Sequence, residues 1–345
     1  MSFASNAVIA KARAVCGHAL NTEDYTQLAA KENVSDVCAY LKQTERYGKA
    51  LASANPQTVH RGQLEAILRK STFDIFERFH SFDHTESRVL FKYIVMYLEI
   101  EQILSALQSV ASGVSMNYIA ALPMFLTKHS QLDLAALGLA KSFGEAAALL
   151  RGTIYERFVC PALVEAESTG TLNICGIERR LYTEFYMNML KMAENTHKGA
   201  EKKDLKRLIL GVIDMKNVVT VYRYSRLFGA GAQGAKEAMI PFRRRLSDET
   251  IERLAAQSDI GKIAAELDAM GYGLHSQDIP STVELLTDKI SLDHLKKVLR
   301  LSRSSSVVYF AFMELLGVEL KNIKTIVEGI RYGLDGSAIL DMLVV

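Results

Sequence analysis

Proline is scarce in this chain. Five prolines, Pro56, Pro123, Pro161, Pro241 and Pro280, separate segments rich in Ala, Leu, Glu, Lys and Met, the stronger helix formers, so helix is expected to dominate. Cysteine is scarce too: Cys16, Cys38, Cys160 and Cys175 show no CxxC spacing, which argues against a zinc site or a disulfide framework and fits a reducing cytoplasm. A charge excess is also missing. With 41 Lys and Arg against 39 Asp and Glu, a net charge of +2 sets up no general field for a polyanion, and nucleic acid is not expected as a partner. The apolar fraction of 49% excludes disorder, and 345 residues suffice for two or three domains.

Other signals fail on inspection. The opening Met-Ser-Phe-Ala, with its first basic residue at Lys11, reverses the order of a signal peptide, so export is not expected. Gln102 to Thr127 runs 26 residues without a charge, long enough to suggest a membrane span. Its Gln102, Gln108, four serines, Asn117 and Pro123 point instead to a buried helix and its connecting loop, with no direct membrane span. Gly229, Gly231 and Gly234 satisfy GxGxxG, but the preceding segment reads as helix and Pro241 follows closely. A loop between modules is expected there, and no cofactor. His80 and His84 have helical spacing around Asp83 but no second ligand cluster, so a polar turn closing the helix of Phe73, Phe76 and Phe79 is expected rather than a metal. No nucleophile elbow, Walker loop or carboxylate dyad emerges.

What the chain does contain is a threefold recurrence. An acidic residue, an amide three positions later and a branched aliphatic residue occur as Glu99, Gln102, Ile103, as Asp214, Asn217, Val218, and as Glu319, Asn322, Ile323. The intervals are 115 residues (214 minus 99) and 105 (319 minus 214). Upstream of each copy lies a second marker, beginning Leu28-Ala29-Ala30, Leu137-Gly138-Leu139 and Leu254-Ala255-Ala256. Thirteen positions on come Leu41, Leu150 and Leu267, and shortly beyond them Tyr47, Tyr155 and Tyr272. This order implies three similar modules around a common axis, 1–122, 123–235 and 236–345, with boundaries near Pro123 and near Gly229 to Pro241.

The modules read as all-α. Leu205, Leu208, Ile209, Val212, Met215, Val219 and Tyr222 recur at helical steps, and this stripe takes in Val218 to Tyr222, the best strand candidate by propensity. Two shorter amphipathic helices follow, around Ile251 to Ala255 and Ile263 to Met270. Ser247 and Thr250 mark the start of the first, and Gly271 and Gly273 stand where the second would stop. Each acidic and amide pair shares one helix face. Glu99, Asp214 and Glu319 are therefore expected to make structural caps or interhelix hydrogen bonds. A catalytic role would need at least two of them in one cleft.

Two basic clusters stand out, Lys202, Lys203, Lys206 and Arg207, and Arg243, Arg244 and Arg245. The second is the candidate partner contact, suited to an acidic protein or lipid headgroups, with a solvated loop as the plain alternative.

The run Glu319-Leu-Lys-Asn322-Ile-Lys-Thr-Ile326-Val-Glu-Gly329, ending near Gly333, resembles the closing signature of the C-type subunit of prokaryotic V-type (A/V-type) ATPases and ATP synthases, whose eukaryotic counterpart is the d-type subunit. Ala12-Arg13-Ala14-Val15 with Tyr25, Leu28, Leu41, Thr44 and Tyr47 is similar to that family's opening module, and Asp214, Asn217 and Arg223 to its central one. Pro241 to Arg245 departs from the small, glycine-rich turn expected of relatives. The resemblance implies a funnel of three helical modules in pseudo-threefold symmetry, non-catalytic, on the cytoplasmic side of the membrane. Its partners would be the central-stalk subunits, of D and F type, and the membrane proteolipid ring, so that ATP chemistry stays coupled to proton or sodium transport. A helical scaffold binding a partner helix in its concave surface is the alternative. Under the main reading, charge reversal at Arg243, Arg244 and Arg245 should weaken assembly and leave the isolated fold intact.

Overall fold

Side-chain caps start most of the helices. Asn21, Asn33, Asp133, Ser142, Asn173, Ser247, Asp259, Thr282, Ser304 and Asp335 each accept a hydrogen bond from a backbone N–H in the first turn of the helix that follows. These caps satisfy donors that a helix leaves unpaired at its start. The start read at Ser247 is among them, with Asp248 and Glu249 adding favourable charge in the first turn. The computed structural model describes residues 3–113, 124–273 and 279–345, and among them there is helix and no strand. Asn117 and Pro123, the latter marking one expected module boundary, lie outside the described residues.

The elements are α1 (Phe3–Gly17), α2 (Thr22–Ala29), α3 (Val34–Gln43), α4 (Arg61–Phe82), α5 (Leu90–Ser112), α6 (Leu134–Leu139), α7 (Phe143–Leu150), α8 (Glu156–Thr169) and α9 (Ile174–Thr196). There follow α10 (Gly199–Arg226), α11 (Gly231–Ala238), α12 (Asp248–Ala256), α13 (Ile260–Ala269), α14 (Val283–Leu301), α15 (Ser305–Arg331) and α16 (Gly336–Asp341). Long pairs, α4 and α5, α9 and α10, α14 and α15, alternate with short pairs, α6 and α7, then α12 and α13. The remaining short pair, α2 and α3, precedes the first long one.

Val218 to Tyr222 lies inside α10, where Val218 and Val221 are buried, so the apolar stripe prevails over β propensity. The glycine string is not a plain loop. Gly229 and Gly231 turn the chain at φ of 62° and 61°, and from Gly231 the residues Ala, Gln, Lys and Glu wind α11, whose Ala235 is fully buried beside Met215 and Val218. It joins two helices, and no strand precedes it. No helix among the described residues is long and apolar enough to cross a membrane.

Among the described residues, buried side chains gather in one large cluster, two smaller ones and a minor one of Leu285, Leu292 and Val344. The large one joins α1, α4, α5, α9 and the first half of α15. One of the smaller ones packs Met215 and Val218 of α10 against Ile251, Leu254, Ile263 and Leu267. The other packs Leu28, Leu41, Tyr47 and Leu51 against Ile323, Ile326, Val327 and Ile339, so distant parts of the sequence share a core. Each fully buried leucine or isoleucine there contributes roughly 1.5–3 kcal/mol.

Candidate functional site

The three repeated carboxylates occupy three buried centres of one design. Glu99 on α5 accepts hydrogen bonds from the Ser130 hydroxyl at 2.6 Å and the Tyr155 hydroxyl at 2.5 Å. Asp214 on α10, fully buried, accepts from the backbone N–H groups of Arg244 and Arg245 at 3.0 and 2.8 Å and from the Tyr272 hydroxyl at 2.7 Å. Glu319 on α15 accepts from the Leu20 N–H at 2.9 Å, Arg46 Nε at 3.0 Å and the Tyr47 hydroxyl at 2.6 Å. In every centre the tyrosine of the leucine marker meets the acid. Burial above all, then the facing carboxylate, pushes the Tyr47, Tyr155 and Tyr272 hydroxyls up from their ordinary 10.0, which keeps them as donors.

The amides extend two of the centres. Asn217 donates to the Ile240 and Phe242 carbonyls at 3.0 and 3.2 Å and accepts from the Ile240 N–H at 2.9 Å. Asn322 repeats this with Val344, donating to its carbonyl at 2.8 Å and accepting from its N–H at 3.0 Å. Each amide thus stands in for a strand neighbour and ties down the segment beyond its helix. Gln102 is buried at the matching place on α5.

The pairing follows a cyclic order. Tyr155 lies 56 residues beyond Glu99 and Tyr272 lies 58 beyond Asp214, whereas Tyr47 lies 272 before Glu319. Each acid therefore meets the marker of the next expected module, and the third meets the marker of the first. Ser130, Leu20 and Arg46 complete the centres without any repeat signal of their own, and a backbone N–H such as Leu20 leaves no trace in a sequence. One faint signal is in the chain: Thr44 and Thr153 stand just before Tyr47 and Tyr155, and each hydroxyl accepts the following tyrosine's backbone N–H.

Among the described residues the three carboxylates share no hydrogen-bond partner. Nor, among those residues, is any group of three or more His, Cys, Asp or Glu placed to hold a metal ion, and His80 stacks on Phe91 with ring centroids 4.5 Å apart. In each centre the carboxylate ties its helix to another segment of the chain.

The family model described as ATP synthase (C/AC39) subunit matches residues 8–342, a range that takes in all three centres. The chain belongs to the ATP synthase (C/AC39) subunit family. It is 23% identical over 328 residues to a protein of Pyrococcus furiosus named as the C-type subunit of an A-type ATP synthase, covering 92% of this chain and 84% of that one. A protein of the same name from Thermococcus gammatolerans is 28% identical over 163 residues, 46% of this chain and 42% of the relative.

In this C/AC39 family member the basic clusters are largely engaged within the chain. Lys202 and Lys206 both donate to Glu194, at 2.7 and 2.6 Å, and hold its carboxyl down at about 2. Arg243 pairs with Asp248 at 2.5 Å. Arg244 and Arg245 lie over the Tyr272 ring, 5.9 and 5.2 Å from its centroid, and Arg245 donates to the Met270 carbonyl beside Gly271. Arg244 and Arg245 therefore supply the Asp214 centre with both its N–H groups and its flanking cations.

Proposed function

We propose that the chain is the non-catalytic connector of a rotary V/A-type ATPase or ATP synthase, linking D- and F-type stalk subunits to the membrane proteolipid ring on the cytoplasmic side. In this reading the modules 1–122, 123–235 and 236–345 stand in pseudo-threefold arrangement as a funnel, each fastened to the next through a carboxylate and a tyrosine. The cyclic order of the three centres is the observation that carries it. Torque transmission requires stiffness, because one charge crossing ~100 mV releases only about 2.3 kcal/mol and several such steps must accumulate per ATP. A part that yielded under load would dissipate them. Close-packed helices with saturated buried carboxylates resist deformation.

The test is an affinity pull-down of the tagged chain from gently solubilised native membranes, with mass spectrometry of the co-purifying chains. Proteolipid and stalk subunits are expected. Reproducible recovery of a different soluble partner without proteolipid would overturn the connector role and favour a scaffold that binds a partner helix.

A further inference from the structure

Two of the three centres fasten a helix to the segment that follows it in the chain. Glu99 meets Ser130, 31 residues on, and Asp214 meets the N–H of Arg244, 30 residues on. At the third centre the corresponding donor is Leu20, 299 residues away, so no continuous stretch leads from α15 into the lobe that caps it. Noncovalent contacts hold residues 20–59 to α15 and α16. They comprise the Glu319 bonds, the shared core of Leu28, Leu41 and Tyr47 with Ile323, Ile326 and Ile339, and, just beyond the lobe, the pairing of Arg61 with Glu328.

This centre also differs in chemistry. Among the described residues, it alone of the three pairs its carboxylate with a buried cation: the Arg46 and Glu319 side chains are each 4% exposed. Arg46 Nη2 is buried without a hydrogen-bond partner, whereas the donors at the other two centres are neutral hydroxyls and backbone amides. A buried pair returns much of its attraction as desolvation, and an unsatisfied buried donor costs a further ~1–3 kcal/mol.

We infer that the Glu319 centre is a clasp, the joint at which this protein opens, with α2 and α3 parting from α15 and α16 as one unit while the lobes at Glu99 and Asp214 stay closed. Once parted from the core they share with α15, helices as short as α2, α3 and α16 fray, so their amides exchange from the open state. Resting on the connector reading, such a clasp gives a way to seat the subunit on its partners or release it from them while the other lobes stay folded.

The test is native-state hydrogen exchange, read by mass spectrometry on the full purified chain at low denaturant. Amides of 22–43 and 336–341 are expected to exchange together, ahead of those of 134–150 and 248–269. Glu319→Gln leaves Arg46 buried without its counter-charge and should speed the first group by about tenfold or more. The second group should move by less than about twofold, as a distant site does. Tyr47→Phe keeps the ion pair and serves where Glu319→Gln fails to fold, with the same pattern at smaller size. Equal protection of all three lobes, or acceleration of all three by either variant, would overturn the clasp. The isolated chain suffices, so the outcome is separate from that of the pull-down.

Discussion

Removing one hydroxyl from each tyrosine tests how the centres divide their work. Phenylalanine keeps the ring and its packing, so Tyr155→Phe, Tyr272→Phe and Tyr47→Phe each delete a single O–H donor from a buried carboxylate. A hydrogen bond to a charged group is worth ~1.5–3 kcal/mol. The three sites should not all fall at one point in that range. Among the described residues Glu99 has two hydroxyl donors, Ser130 and Tyr155, and would be left with one. Asp214 keeps two backbone N–H groups, and Glu319 keeps the Leu20 N–H and Arg46. Tyr155→Phe is therefore expected to cost about 3 kcal/mol, and the other two nearer ~1.5 kcal/mol each. Urea denaturation of the purified variants, fitted with a common slope, measures the order.

The same variants have a signature in alkali. The three hydroxyls titrate higher in the folded protein than their ordinary 10.0. Their contribution is fully present below pH 10 and is lost as pH rises beyond it, because the unfolded chain gives up those protons first. Tyr155→Phe should flatten the decline above pH 10. An equal cost at all three positions, or Tyr272→Phe proving the worst, would refute the donor count as the cause.

His197 is buried, bonded through Nε2 to the Ser306 hydroxyl at 2.7 Å, and burial lowers its pKa from 6.5 against the opposing pull of Glu201 and Glu86. Stability should fall as pH drops below 6.5, and His197→Gln should lessen that fall in thermal melts from about pH 7 to about pH 5. Arg243→Glu disturbs only a partly exposed pair and should cost less than about 1 kcal/mol. Arg245→Glu, which sets an acid beside Tyr272 and frees the Met270 carbonyl, should cost more than that, and a melting point unchanged by it would refute the structural role of this segment.

The helical class and the three acids were legible because both are properties of local spacing. Helical periodicity outweighs β propensity at Val218 to Tyr222 for the same reason: one stripe continues through them. The partner of each acid was not legible. A marker that recurs with the same beat as the acids is equally upstream of one copy and downstream of another, and only the folded chain shows that Tyr155 serves Glu99. Arg244 and Arg245 stand out in the sequence as cations, while the groups that reach Asp214 are their backbone amides, which every residue but proline possesses. At Gly231 to Ala238 the glycines suggest a break, yet two of them suffice for the turn and the residues that follow favour helix.

The 272-residue reach from Tyr47 to Glu319 sets an order of events during synthesis. Chains emerge from the ribosome at ~5–20 residues per second, so α2 and α3 wait roughly fifteen seconds to a minute before α15 appears. Through that interval Leu28, Val37, Cys38 and Leu41, all fully buried in the finished protein, lack the surface that covers them. A lobe made well before α15 is thus completed only after it, and its apolar face stays open to solvent or to a holdase in between.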